Sequence, residues 1–106
     1  MITISVTPEQ IRIEGHADYG PKGYDIICEA VTCLTQTYLK SIHDLGGDDP
    51  PFDLYSGYFA VDITHLSEVS RTLTSAFFIG LCLLVEGYPD FVRIDQAGMS
   101  LNSQDY

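Results

Sequence analysis

Strict alternation of apolar and polar residues at the start of the chain is the feature that most constrains its fold. Residues 2–6 and 11–14 both alternate in this way. A period of two is typical of strands that bury one face. Residues 7–10 between them place Pro8 where a type I turn favours proline. The sequence therefore predicts an N-terminal β-hairpin with one apolar face.

A first helix is predicted after the glycine-rich segment 15–23, which has too many glycines for a helix or strand interior and is interpreted as a loop. We expect the helix cap at Asp25 or an adjacent residue, which places Cys28 in the first turn. Gly46-Gly47 ends the helical pattern. The apolar face is predicted at Ile27, Val31, Leu34, Tyr38 and Ile42.

A second helix is predicted to begin near Ser67, a favourable capping residue, and to end at Gly87 and Pro89. Strands are expected at residues 58–63 and 91–95, with a further short strand allowed at 52–55. The helix's wide apolar face is predicted at Val69, Leu73, Ala76, Phe77, Gly80, Leu81 and Leu84.

These elements predict an α+β fold, a two-layer sandwich in which two amphipathic helices cover one face of a mostly antiparallel sheet. The chain has 106 residues, which suits one domain. We expect that domain to span residues 1–96 and to be followed by a polar C-terminal tail over 97–106.

Charge restricts the partners that such a domain can bind. The chain has 15 acidic and 5 basic residues and a formal net charge of −10. It has no basic surface for a phosphate backbone, so direct nucleic-acid binding is not expected. An acidic field attracts basic partners instead. The acidic segment from Asp48 to Asp53 is interpreted mainly as a solvated loop, with docking of a basic substrate as the alternative.

The compartment is expected to be the cytoplasm. The first residues do not have the pattern of a secretory signal. Ala76–Val85 is the longest nearly apolar run, and about ten residues are too few to span a bilayer. Cys28, Cys33 and Cys82 are an odd number without framework spacing, which favours free thiols in a reducing compartment.

His16 and Cys28 are the candidate catalytic residues. Histidine follows a predicted strand and cysteine begins a predicted helix, so one glycine-rich loop could bring imidazole and thiol together. A helix N-terminus and a nearby imidazolium both favour the thiolate, the form of cysteine that attacks carbonyl groups. We expect backbone N–H groups near Gly15 and Cys28 to stabilise the oxyanion.

Spacing alone leaves other interpretations open. A free cysteine is often a buried structural residue. Asp25 could orient His16 or could simply cap the helix, while His43 and His65 are more typical of surface positions. The cysteines lack the close pairs of a zinc site, so no metal or other cofactor is expected.

The string from Gly15 to Leu34 resembles the signature of the Prp family of ribosomal-processing cysteine proteases. The matching elements are Gly-His-Ala, a glycine-rich loop, aspartate, two aliphatic residues, cysteine, and then Ala-Val before a hydroxyl residue. The twelve-residue step from histidine to cysteine also agrees. The resemblance implies that His16 and Cys28 are the catalytic pair. It implies supporting or substrate-binding positions at Gly15, Gly20, Gly23, Asp25 and Thr32.

By this resemblance the protein is a homodimeric thiol protease of ribosome biogenesis, which removes the N-terminal extension of a large-subunit ribosomal protein. The cut would follow an aromatic residue in an extended peptide, and residues 17–24 would close over it as a lid. Two positions depart from the family pattern. Thr32 replaces a serine, and Glu29 puts a carboxylate beside Cys28 that would oppose thiolate formation. The alternative is therefore a catalytically weak or inactive peptide-binding module of the same fold.

Overall fold

The computed structural model describes residues 1–15 and 22–96, and only the backbone of residues 22–25 and 96. The tail predicted at 97–106 lies outside this part, so the domain boundary stays a prediction. Seven elements follow one another: β1 (Ile2–Val6), β2 (Gln10–Glu14), α1 (Lys22–Asp44), β3 (Phe52–Tyr55), β4 (Tyr58–Asp62), α2 (Glu68–Gly87) and β5 (Val92–Gln96).

The five strands form one sheet in the order β3-β4-β2-β1-β5. β1 pairs with β2, β2 with β4 and β4 with β3, all antiparallel, whereas β1 and β5 are parallel. The predicted α+β fold with a mostly antiparallel sheet is confirmed, and the short strand allowed at 52–55 is present.

The core lies between the sheet and both helices. The registers place the apolar residues of neighbouring strands side by side, as in the pairs of Ile13 with Ile4 and with Phe59. Burying each such side chain contributes about 1.5–3 kcal/mol. The buried core residues of the strands are Ile2, Ile4, Val6, Ile11, Ile13, Phe59, Val61 and Val92; those of the helices are Ile27, Tyr38, Ile42, Phe77, Phe78 and Leu81.

Helix α1 begins at Lys22, three residues before the expected cap. Asp25 is therefore the fourth helical residue and not the cap, and Cys28 is the seventh residue, in the second turn. Gly23 is the second helical residue and so avoids the helix interior, where glycine costs about 0.5–1 kcal/mol relative to alanine. The glycine-rich composition thus exaggerated the length of the predicted loop.

The end of α1 and the start of α2 are held together. Gly47 has a φ of 69°, which glycine adopts without steric cost. The Ser67 N–H donates to an Asp48 oxygen at 2.9 Å, and the Ser67 hydroxyl donates to the Gly46 carbonyl at 3.0 Å. Ser67 also caps α2, as predicted, by accepting a hydrogen bond from the Ser70 N–H at 3.2 Å.

Asp48 is thus a structural residue and not only part of a solvated loop. The largest cause of its lowered pKa is the nearby Ser70 hydroxyl, although the geometry of that contact is too poor for a hydrogen bond. The Ser67 N–H and hydroxyl lower the pKa further. These polar groups favour the charged carboxylate. A negative charge at this point also suits the positive end of α2.

The buried face of α2 is rotated relative to the prediction. Phe77, Leu81 and Leu84 are buried as expected, but Val69 and Ala76 are exposed. Three further residues, Ser70, Thr74 and Phe78, are buried in their place. The apolar pattern hides this rotation because two of the three buried residues carry hydroxyl groups.

α2 is also the helix in the described part of the chain that is long and apolar enough to cross a membrane. About 33% of its most apolar window is buried in the fold. Phe77, Phe78 and Leu81 on its inner side belong to the core cluster.

Buried hydroxyl groups link the two helices. The Thr74 hydroxyl donates to the Ser70 carbonyl at 2.8 Å, so the Tyr38 hydroxyl, at 2.7 Å, donates to Thr74. The Tyr38 ring stacks on Phe77 with centroids 4.4 Å apart. Burial raises the pKa of Tyr38. The Thr74 hydroxyl, by donating to the phenolate when Tyr38 ionises, partly opposes this rise, and the Asp48 charge reinforces it.

We expect Tyr38→Phe to lower the free energy of unfolding by about 1 kcal/mol at neutral pH, because one buried hydrogen bond is lost. The folded state binds the Tyr38 proton more tightly than the unfolded state. Its contribution is therefore complete below the unfolded pKa of about 10 and is lost as the pH rises through the folded pKa. The difference in the free energy of unfolding between wild type and Tyr38→Phe, measured with urea, should therefore become smaller at alkaline pH. A difference that stays constant with pH would contradict this account.

Candidate active site

A cavity of about 110 Å³ lies between α1 and the end of the sheet formed by β2, β3 and β4. Cys28 of α1 contributes to its wall together with Val31 and Thr32 one turn further on. Its remaining lining residues are Ile2, Ile13, Glu14, Gly15, Thr35, Leu54, Tyr55, Gly57, Tyr58 and Phe59. Among the side chains that the structure describes, the wall is mainly apolar and aromatic, and Glu14 adds a carboxylate to it.

Gly15 brings the end of β2 to this cavity. Its N–H donates to the Gly57 carbonyl at 3.1 Å, which ties β2 to the turn between β3 and β4. A Cβ atom at Gly15 would lie 2.6 Å from the Met1 carbonyl oxygen and 2.8 Å from the Ile2 Cα. Glycine is therefore required here by the close approach of β1.

Cys28 is half-buried, and the Thr32 hydroxyl donates to its carbonyl oxygen at 2.9 Å. The hydroxyl that replaces a serine at Thr32 thus remains in contact with the backbone of the cysteine. Glu29 is exposed to solvent and does not line the cavity. Solvent and salt screen an exposed charge strongly, and its expected effect on activity stays a prediction.

The other two cysteines occupy different environments. Cys33 is exposed on α1, and Cys82 is half-buried on α2. Burial raises the pKa of the Cys82 thiol, and the charge of Glu86 raises it further. Neither residue lines the cavity. Cys82 is consequently held in the protonated, weakly nucleophilic form.

Several predicted site residues fall outside this description. His16 and Gly20 lie outside the described residues, and only the backbone of Gly23 and Asp25 is described, in the first turn of α1. The lid expected at residues 17–24 is wrong at its end, because residues 22–24 belong to the helix.

The backbone oxyanion site expected near Gly15 and Cys28 stays a prediction. The Gly15 N–H is engaged by Gly57. Cys28, as the seventh residue of α1, lies beyond the four N–H groups that a helix leaves without intrahelical partners.

The described residues 1–15 and 22–96 contain no group of three or more His, Cys, Asp or Glu side chains suited to a metal ion.

Comparison with known proteins identifies the family to which the chain belongs. The family described as cysteine protease Prp matches residues 1–93 of the chain. The chain belongs to the Prp family of cysteine proteases. The ribosomal processing cysteine protease Prp of Staphylococcus aureus is 22% identical over 104 residues, covering 90% of this chain and 98% of the relative.

Solved structures support the same fold. A crystal structure of Prp from S. aureus in complex with a substrate peptide gives a TM-score of 0.78 at 19% identity, covering 91% of this chain and 99% of that one. A Streptococcus mutans protein gives a TM-score of 0.73 at 27% identity, covering 90% of each chain. Because the family match covers residues 1–93, this Prp family member is a cysteine protease, a hydrolase of peptide bonds.

Sequence reasoning missed the hairpin of β3 and β4 as part of the site. Its residues Leu54, Tyr55, Gly57, Tyr58 and Phe59 make up a large part of the cavity wall. The available signal was Ser56-Gly57 between two aromatic residues, since a two-residue turn with glycine is a strong indication of a hairpin.

Proposed function

We propose that this Prp family member removes the N-terminal extension of a large-subunit ribosomal protein, with Cys28 as nucleophile and His16 as general base and acid. The observation that carries the proposal is that Cys28 lines the same cavity as Gly15, the residue directly before His16. Gly15 thus brings the chain to the cavity wall directly before the proposed general base in the sequence.

In the proposed reaction, the imidazole of His16 accepts the proton of the Cys28 thiol. The thiolate attacks the scissile carbonyl carbon, and the C–N bond breaks as His16 donates the proton to the leaving amine. A water molecule, deprotonated by His16, then attacks the thioester. The C–S bond then breaks, and His16 returns its proton to the sulfur to restore the thiol. The released acid loses its proton to water and leaves as the new carboxylate.

The substrate is proposed to be an extended basic protein that is cut after an aromatic residue. The apolar cavity wall, with Leu54 and Phe59, suits such a side chain. The net charge of −10 favours association with basic ribosomal proteins. The name of the S. aureus relative, a ribosomal processing protease, supports the same class of substrate. Because ribosomal proteins are made in the cytoplasm, we place the reaction there.

A homodimer is part of this proposal. The outer side of the helical layer carries exposed apolar residues, with Ile26 of α1 61% exposed and Leu83 of α2 62% exposed. Large apolar side chains on an outer helix face are typical of contact surfaces between subunits. Sedimentation of the purified protein as a monomer at micromolar concentration would refute the dimer.

The direct test is incubation of the protein with the unprocessed ribosomal protein of the same organism, followed by intact-mass analysis. We expect a single cut that releases the extension. A substrate in which the aromatic residue before the junction is replaced by aspartate should stay intact and serves as the control. If the authentic precursor also remains intact, this substrate is wrong, and the inactive peptide-binding module becomes the better interpretation.

A further inference from the structure

Strand β3 is an edge of the sheet, and it is unusually apolar for an edge. All four of its residues are exposed, including Phe52 at 52%, Leu54 at 43% and Tyr55 at 64%. Native proteins usually protect edge strands with charges, prolines or a covering element, because an open edge can pair with another chain. β3 has one charged residue, Asp53, and helix α1 leaves its apolar side chains uncovered.

The backbone of β3 offers groups for pairing. In the part of the chain that the structure describes, β3 pairs only with β4. The Asp62 N–H donates to the Pro51 carbonyl at 3.0 Å. Because hydrogen-bonded positions alternate along an antiparallel pair, the backbone groups of Phe52 and Leu54 must point away from β4. Their N–H and C=O groups therefore form an open row.

This row lies beside the proposed catalytic cysteine. Leu54 and Tyr55 line the cavity that contains Cys28. The side chains of Phe52 and Leu54 lie on the same face of the sheet as the buried Val61 and Phe59, which are their partners in the register. An extended chain paired with β3 would present every second side chain to this apolar face.

We propose that the peptide substrate binds by strand addition to β3, forming a sixth strand whose backbone is held by Phe52 and Leu54 and which brings the scissile bond to Cys28. This inference rests on the proposed function and adds how its substrate is bound. Main-chain hydrogen bonds supply affinity in such complexes, and pockets for alternate side chains supply specificity.

The opposite edge does not serve this purpose. β5 is four strand spacings away from β3, roughly 19 Å. None of its residues lines the cavity, and its exposed Arg93 and Asp95 are charged. The preference for β3 therefore comes from its position as well as from its apolar residues.

The test uses the Cys28→Ala protein, which should bind the substrate without cutting it. Its affinity is measured for a synthetic peptide that spans the cleavage junction, and for a series of peptides in which one backbone nitrogen at a time is methylated. We expect losses of about tenfold at alternate positions and less than about twofold at the positions between them, since only every second N–H faces β3. A flat profile, or no binding of the parent peptide, would overturn the inference.

A second measurement changes the protein. Leu54→Pro removes the outward N–H without removing a bond to β4, while Leu54→Ala removes the same side chain and keeps the N–H. We expect the proline variant to bind the peptide at least about fivefold more weakly than the alanine variant, with both folded by circular dichroism. Equal affinities would count against strand addition.

The outcomes separate this inference from the proposed function. An alternating profile with an uncut ribosomal precursor would disprove the processing function and leave the edge as a peptide-binding site. A cut precursor with a flat profile would keep the function and reject strand addition.

Discussion

Replacing Cys28 with alanine is expected to slow cleavage of the ribosomal precursor by at least about a thousandfold. The thiolate forms the covalent bond to the scissile carbonyl, and removal of a catalytic nucleophile leaves only the small acceleration that binding provides. Initial rates of cleavage by intact-mass analysis would measure the loss. Cys33→Ala and Cys82→Ala are matched controls, because neither residue lines the cavity, and both should stay within about twofold of wild type.

The reactivity of the Cys28 thiol tests whether His16 is its catalytic partner. We expect iodoacetamide to label Cys28 on the order of tenfold faster than the exposed Cys33 at neutral pH, although Cys28 is half-buried. His16→Ala should remove this difference without changing the labelling of Cys33. Slow labelling of Cys28 in wild type, unchanged in the variant, would reject the proposed pair.

Gly15→Ala is expected to lower the free energy of unfolding by about 3 kcal/mol and to abolish most of the activity. The added Cβ would lie 2.6 Å from the Met1 carbonyl oxygen and 2.8 Å from the Ile2 Cα. Both are backbone atoms, so β1 or the end of β2 must move. The peptide bond to His16 would move with it, and urea unfolding together with the cleavage rate would record both effects.

Gly87→Ala is the matched control for this substitution. Gly87 is the last residue of α2, and a Cβ built there meets nothing within 4 Å. Because alanine favours helix more than glycine does, we expect stability to be unchanged or raised by up to about 1 kcal/mol, with normal activity. If Gly15→Ala behaved like Gly87→Ala, the close approach of β1 would not control the site.

The N-terminal hairpin and the core could be predicted because their signal is local. Ile4 and Ile13 alternate with polar neighbours, and the structure pairs them directly. Ser67 is a residue type that strongly favours helix N-caps, and it is the N-cap of α2. The arrangement of Gly15 and Cys28 around one cavity also followed from the order of the elements and from the resemblance to the Prp family.

Features that depend on contacts between distant segments could not be predicted. The rotation of α2 is set by hydroxyl groups that meet in the core, where Thr74 binds Tyr38, and a search for apolar periodicity passes over them. The role of Leu54 in the cavity wall requires knowledge that β3 pairs with β4 beside α1. The early start of α1 was missed because Gly23 was interpreted as part of a loop, although the cost of glycine applies mainly to the interior of a helix.

The parallel pairing of β1 with β5 has a consequence for biosynthesis. The strand β1 pairs along one edge with residues 92–96, which are synthesised about ninety residues after it. Ile2 pairs with Val92 and also lines the cavity of Cys28. Among the described strands, the pairing of longest range thus forms beside the cavity of Cys28. A nascent chain that lacks residues 92–96 therefore lacks the strand that pairs with β1 beside this cavity, and we expect it to be inactive until that strand has been added to the sheet.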